Sequence, residues 1–336
     1  MDKKISFAQN IGIILVVAGH SFFQNGNHPL CMWIYSFHMP LFFFISGYLL
    51  AFTNRQKSRE VRNTVIIGKS GYITKKFQRM MIPYLVISSL VFIPKVMLSS
   101  LAVRPVDGSF DAFIHNLLYP YDNVIGSFWF LPTIFFVSIL SILYLKRLKV
   151  SILWLALLAL ITVLVPIGKE AILNIDGILH YLFYFFMGYV YVERNLGRHL
   201  LQHPVLAIVG TGIVSVFLLI FCLHYQWDNR NILSGISGIL LMMSCAGLYE
   251  KKQLHLLDGM NGSSYTIYIY SWFIQVVCFQ LSMKLFDIPL WITALMSILL
   301  GIFIPILMYR WMTKRKTKGI GRMLCWMSGI STHQSK

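Results

Sequence analysis

Apolar stretches of about 18 or more residues recur along this chain, each long enough to cross a hydrocarbon core of about 30 Å. We place ten such spans at 5–23, 31–52, 82–103, 128–145, 150–167, 178–193, 204–223, 230–249, 262–283 and 290–311. The rest of the composition agrees. Of 336 residues, 57% are hydrophobic and only 12% charged, against about a quarter charged in soluble domains. Mean hydropathy is +0.68. The fold class expected is therefore all-α: a polytopic bundle of about ten transmembrane helices. Residues 1–311 would form one integral-membrane domain, and 312–336 a short basic cytoplasmic tail.

The formal charge of +17 invites a nucleic-acid reading, but the distribution of cations argues for topology instead. With the N-terminus inside, all but five of the 29 lysines and arginines fall in cytoplasmic segments. The five outside are Lys95, Arg104, Lys169, Arg230 and Lys284. This skew follows the positive-inside rule and places both termini in the cytoplasm. No nucleic-acid partner is implied; membrane lipids are.

The first apolar stretch ends in Phe22-Phe23-Gln24-Asn25 rather than in a small-residue cleavage site, so it reads as a retained helix. The five cysteines show no CxxC spacing and read as small packing residues. No metal site and no phosphate-binding GxxxxGK[ST] loop is apparent.

Chemistry enters with two histidines. His20 ends the run Ile11–Gly19, and His38 lies within Tyr35-Ser36-Phe37-His38-Met39-Pro40. Ionisable groups at membrane depth are costly and usually mark a site or a pathway. Imidazole also titrates where proton transfer near neutral pH needs it. Gln9 lies eleven residues before His20, almost three helical turns, so the two share a face about 16 Å apart along the axis. Ser6 falls near the same stripe. Against this, His20 could snorkel to the outer interface, and His38 could be a hydrogen-bonded core residue. Pro40 has no N–H for the Ser36 carbonyl, so a locally opened turn is expected beside His38. In a membrane such a break survives only inside protein or beside a wet cavity.

Other signals are weaker one by one. The inner loop from Thr53 to Met81 holds eight Lys or Arg and a single acid, Glu60. Lys76 and Arg79, just before Pro83-Tyr84, are placed to clasp phosphates. Topology and attraction to anionic headgroups explain the same charges. Trp129 opens the fourth span, as an aromatic-belt residue or a sugar-stacking one. Ser264-Tyr265-Thr266-Ile267-Tyr268-Ile269 starts the ninth span with hydroxyls that also serve as glue between helices.

Taken together and in order, these stretches resemble the membrane acyltransferases of the acyltransferase 3 family, in its fucose 4-O-acetylase-like branch. The likeness rests on Gly12–His20, on Phe37-His38-Met39-Pro40-Leu41-Phe42-Phe43-Phe44-Ile45-Ser46-Gly47, on Lys76–Tyr84, on Phe128-Trp129-Phe130-Leu131 and on Ser264–Ile269. The resemblance implies O-acyl transfer, usually of acetyl, from cytoplasmic acetyl-CoA or another acyl-CoA. The acceptor would be a hydroxyl of a cell-surface glycan or lipid-linked sugar, handled at a bacterial inner membrane. Acyl-CoA would be a co-substrate rather than a bound cofactor. His20 corresponds to the family's essential histidine, and Lys76 and Arg79 to its basic pair. Gln9 stands where the family carries a cation, and Ser271 where many members carry a histidine.

The residues fit that chemistry. A base must take the acceptor's proton, and His20 or His38 can serve; an acyl-histidine is also chemically open. Oxyanion donors are needed too, with Ser36, Ser46 and Trp129 as candidates. Ser36 and Trp129 are the expected substrate contacts. A proton-coupled glycan or small-acid exporter is the competing reading, since broken helices and intramembrane histidines suit it as well. It lacks support from a visible internal repeat, and all twelve acids lie in loops or at span ends.

Overall fold

The computed structural model describes residues 2–21, 28–58, 60–68, 71–97, 99, 106–165, 168, 171–228, 231–282, 288–317 and 319–330. Helices follow one another as α1 (Lys3–Ser21), α2 (Pro29–Gln56), α3 (Tyr72–Lys76), α4 (Ile82–Met97), α5 (Phe110–Leu118), α6 (Phe130–Arg147) and α7 (Ile152–Leu164). They continue as α8 (Ile175–Glu193), α9 (Gly197–Gln202), α10 (Pro204–Tyr225), α11 (Ile232–Lys251), α12 (Ser264–Leu281), α13 (Leu290–Lys314) and α14 (Gly319–Met327). No strand occurs among the described residues. The all-α expectation holds, and each of the ten expected spans contains a helix.

Seven helical segments are long and apolar enough to cross a membrane: α2, the run Tyr72–Met97, α6, the run Ile172–Glu193, α10, α11 and α13. The other three expected spans depart for physical reasons. α7 is apolar but only 13 residues long. α1 carries Lys3, Lys4, Gln9, Asn10 and His20, and α12 carries Thr266, Ser271 and Gln275, so both are too polar to stand out by hydropathy. Two of these side chains, Asn10 and Gln275, tie α1 to its neighbours, as described below. Of the five cations expected outside, only Lys95 lies among the described residues; its ammonium donates to the Val124 carbonyl at 2.8 Å.

The chain divides into two compact units. The first comprises residues 1–52 and 186–310. Within it α1 packs on α11 and α12, and α10 pairs with α11. Small residues allow the close crossings, as in membrane bundles generally: Gly238 lies against the Phe37 ring, and Gly188 against the Phe44 backbone. Only 11% of the apolar window of α10 is buried, so this helix faces lipid across most of its surface.

The second unit comprises residues 53–185 and 311–336. Here α4, α6 and the turn before α4 pack together, and α14 packs on α4. Two buried asparagines tie down the segment ahead of α6. Asn116 accepts from the Val124 amide at 2.6 Å. Asn123 donates to Ser88 Oγ at 2.9 Å and to the Asn116 carbonyl at 3.1 Å. Within the stretch 312–336, α14 packs on α4 and Gly329 lies against Arg79.

Candidate active site

In the first unit the two expected catalytic histidines come together around one tyrosine. His20 lies in the last turn of α1 and is half-buried. His38, 6% exposed, lies in the third turn of α2. The Tyr35 ring centroid is 6.3 Å from that of His20 and 5.4 Å from that of His38. The Tyr35 hydroxyl donates to the Gly19 carbonyl at 2.8 Å, gripping the residue immediately before His20.

One hydrogen bond defines the state of His38. Its Nδ1 is 2.9 Å from the Ile34 carbonyl oxygen. A carbonyl oxygen only accepts, so Nδ1 must carry the proton. Neutral His38 therefore presents an unprotonated Nε2, the form required of a general base. Among the described residues no hydrogen bond to the His20 ring occurs.

Two expectations around α2 come out differently. The helix runs without interruption through Pro40, so the N–H that Pro40 lacks for the Ser36 carbonyl does not break α2. The Ser36 hydroxyl donates to the Trp33 carbonyl at 2.7 Å. With its proton directed into its own helix, Ser36 offers an acceptor rather than an oxyanion donor.

Sequence reasoning passed over the groups that hold α1 in place. Gln9 is half-buried in the first half of α1, far along the axis from His20. Its neighbour Asn10, 2% exposed, is the buried amide. Asn10 donates to the Leu257 carbonyl and to Asn261 Oδ1, both at 3.0 Å, and accepts from Ser264 Oγ at 2.7 Å. At the His20 end, Gln275 of α12 donates to the Val17 carbonyl and to Ser21 Oγ, both at 2.8 Å. Ser21 also shares a 3.0 Å hydrogen bond with Ser297 of α13. The available signal was an Asn in α1 and a Gln in α12 amid apolar residues; the partners lie some 250 residues away in sequence.

In the second unit a π-turn, Phe77–Met81, joins α3 to α4; Lys76 immediately precedes it and Arg79 lies within it. The Ile82 amide reaches back five residues to the Phe77 carbonyl. Pro83 follows with no N–H for the preceding turn, and π-turns of this kind are frequent at functional sites. Lys76 is half-buried with its ammonium 5.7 Å from the Tyr72 ring centroid, while Arg79 is exposed. Behind the turn sits Gly329, at φ +64°, where an added Cβ would lie 2.8 Å from Arg79 Cα. Only glycine fits both the left-handed backbone and the contact.

Trp129, at the start of α6, stacks with Tyr121 (centroids 5.0 Å, planes 19°) and with Tyr181 (5.8 Å, 24°). The expected sugar-stacking surface is thus a three-ring group rather than a lone indole. Its carbonyl accepts from Thr133 at 2.7 Å, which in turn accepts from Asn174 at 2.7 Å.

These features, a histidine pair in an apolar membrane bundle and a basic helix-entry turn, accompany a match of residues 3–310 to the acyltransferase 3 family, described as an acyltransferase domain. The chain belongs to that family: it is a multi-pass integral membrane protein and an acyltransferase acting on groups other than aminoacyl groups. No curated protein and no solved structure matches it.

Proposed function

We propose that this protein is an O-acetyltransferase of the fucose 4-O-acetylase-like kind. It takes acetyl from cytoplasmic acetyl-CoA and delivers it to a hydroxyl of a cell-surface glycan or lipid-linked sugar, in a bacterial inner membrane with both termini inside. The observation that carries the reading is the His38 Nδ1–H bond to Ile34, which leaves a basic ring nitrogen in a pair of histidines that share Tyr35.

The chemistry follows from these groups. An imidazole nitrogen takes the acceptor's hydroxyl proton as its oxygen attacks the thioester carbonyl. The tetrahedral intermediate collapses, the C–S bond breaks, and the thiolate leaves with the proton returned from imidazolium. His20 is the residue assigned to this proton transfer, and His38 orients the acceptor by accepting at Nε2 from a second, non-reacting hydroxyl. Lys76 and Arg79 hold the phosphates of acyl-CoA by charge-assisted hydrogen bonds, and Gln9 offers a neutral amide on the inner part of α1. The Tyr121–Trp129–Tyr181 group is the proposed sugar contact. Family membership favours acyl transfer over export.

The test uses purified protein in proteoliposomes with acetyl-labelled acetyl-CoA and extracted surface glycan. Label appearing in ester linkage on the glycan, and reduced but not abolished by His38→Ala, supports the proposal. Hydrolysis of acetyl-CoA with no label on any glycan would refute the acceptor assignment.

A further inference from the structure

α14 has two faces with different demands. Taking about 100° per residue, its buried residues Gly321 and Cys325, with Ser328 just beyond its end, cluster on one side. Ile320 (67% exposed), Met323 (54%) and Trp326 (51%) cluster on the opposite side. The inner side is firmly seated. Cys325 Sγ donates to the Met312 carbonyl at 3.5 Å. The helix then ends in a Schellman arrangement, with the Ile330 amide bonded to the Cys325 carbonyl at 2.8 Å and Gly329 in the left-handed region. That glycine is the residue packed against Arg79.

Among the described residues nothing covers the outer face, and three facts identify its environment. At nine residues α14 is about 14 Å long, far short of the span of a bilayer. It follows the membrane-crossing α13 by only a few residues. Its neighbours in sequence are basic: Lys314, Arg315 and Arg322 are exposed, and no acid occurs anywhere in 301–336. A short helix with apolar and cationic exposed groups suits the headgroup layer of an anionic membrane.

We propose that α14 is an interfacial helix that seats Ile320, Met323 and Trp326 in an anionic lipid surface and, through Gly329, holds the turn that carries Arg79. Lipid is the occupant. The consequence for acyl-CoA rests on the function proposed above; the lipid contact does not.

The experiment places the full-length protein in phosphatidylcholine–phosphatidylglycerol nanodiscs, with and without lipids brominated high on the acyl chain. The contribution of Trp326 is the difference between the parent and Trp326→Phe. Bromolipid should quench that contribution about twofold or more, with aqueous iodide having little effect. Strong iodide quenching with no bromolipid effect overturns the proposal, as does crosslinking of α14 to a second copy that shields Trp326 from lipid. Ile320→Ser with Met323→Ser leaves the docked face intact and should accelerate amide exchange in 77–81; unchanged exchange overturns the link to Arg79. Faster exchange with an unaltered KM for acyl-CoA would uphold the inference while removing Arg79 from donor binding.

Discussion

Tyr35→Phe isolates one contact at the histidine pair. The substitution keeps the ring near both imidazoles and removes only the hydroxyl that donates to the Gly19 carbonyl at 2.8 Å. Side-chain hydrogen bonds between membrane helices average about 0.6 kcal/mol, with a maximum near 1.7. The Gly19 carbonyl belongs to the residue before His20, so the lost energy appears as freedom of that imidazole. If it is expressed wholly in the transition state, kcat falls between about threefold and about 20-fold, at 1.36 kcal/mol per decade. The assay is initial-rate acyl transfer by purified protein, with thermal unfolding alongside. KM for acyl-CoA should stay the same, and folding should weaken only slightly. Parental kcat in a folded Tyr35→Phe protein would refute the idea that Tyr35 positions His20.

Further outcomes follow from other parts of the molecule. Ser109→Cys should react with an impermeant thiol reagent applied from outside, and Ser58→Cys should not; labelling of Ser58→Cys would reverse the topology. Lys76→Ala with Arg79→Ala should raise the KM for acyl-CoA with little change in acceptor affinity, and added salt should mimic part of the effect in the parent. A well-folded double variant with unchanged KM would return these cations to a topological role. His255 donates to Asp258 at 2.6 Å and holds that carboxyl below the usual carboxylate range. A depressed folded-state pKa adds stability above the unfolded pKa and loses it as pH falls through the folded one. The small stability difference between the parent and His255→Ala should therefore shrink on acidification, as read by unfolding midpoints across the acid range.

Much of the architecture was legible because hydrocarbon thickness fixes helix length: every expected span holds a helix. What the local pattern hid were partners distant in sequence. Asn10 and Gln275 read as stray polar residues until α1 meets α12, and only then does the polarity of both helices make sense. The two histidines and the basic pair were visible as residue types. The tautomer of His38 was not, since it depends on the ring reaching the Ile34 carbonyl one turn back. The support of the Arg79 turn by Gly329 joins positions 250 residues apart, beyond the reach of any local pattern. Pro40 misled in the other direction, because α2 absorbs it without a break.

His20→Ala tests the central claim most directly. An alanine is cheaper than histidine in that apolar helix end, so the variant should insert and fold like the parent. Acetyl ester on surface glycan, quantified in cells expressing each protein at equal membrane levels, should fall to the level of a strain lacking the protein. Acetylation at the parental rate by a normally inserted His20→Ala protein would contradict the catalytic assignment.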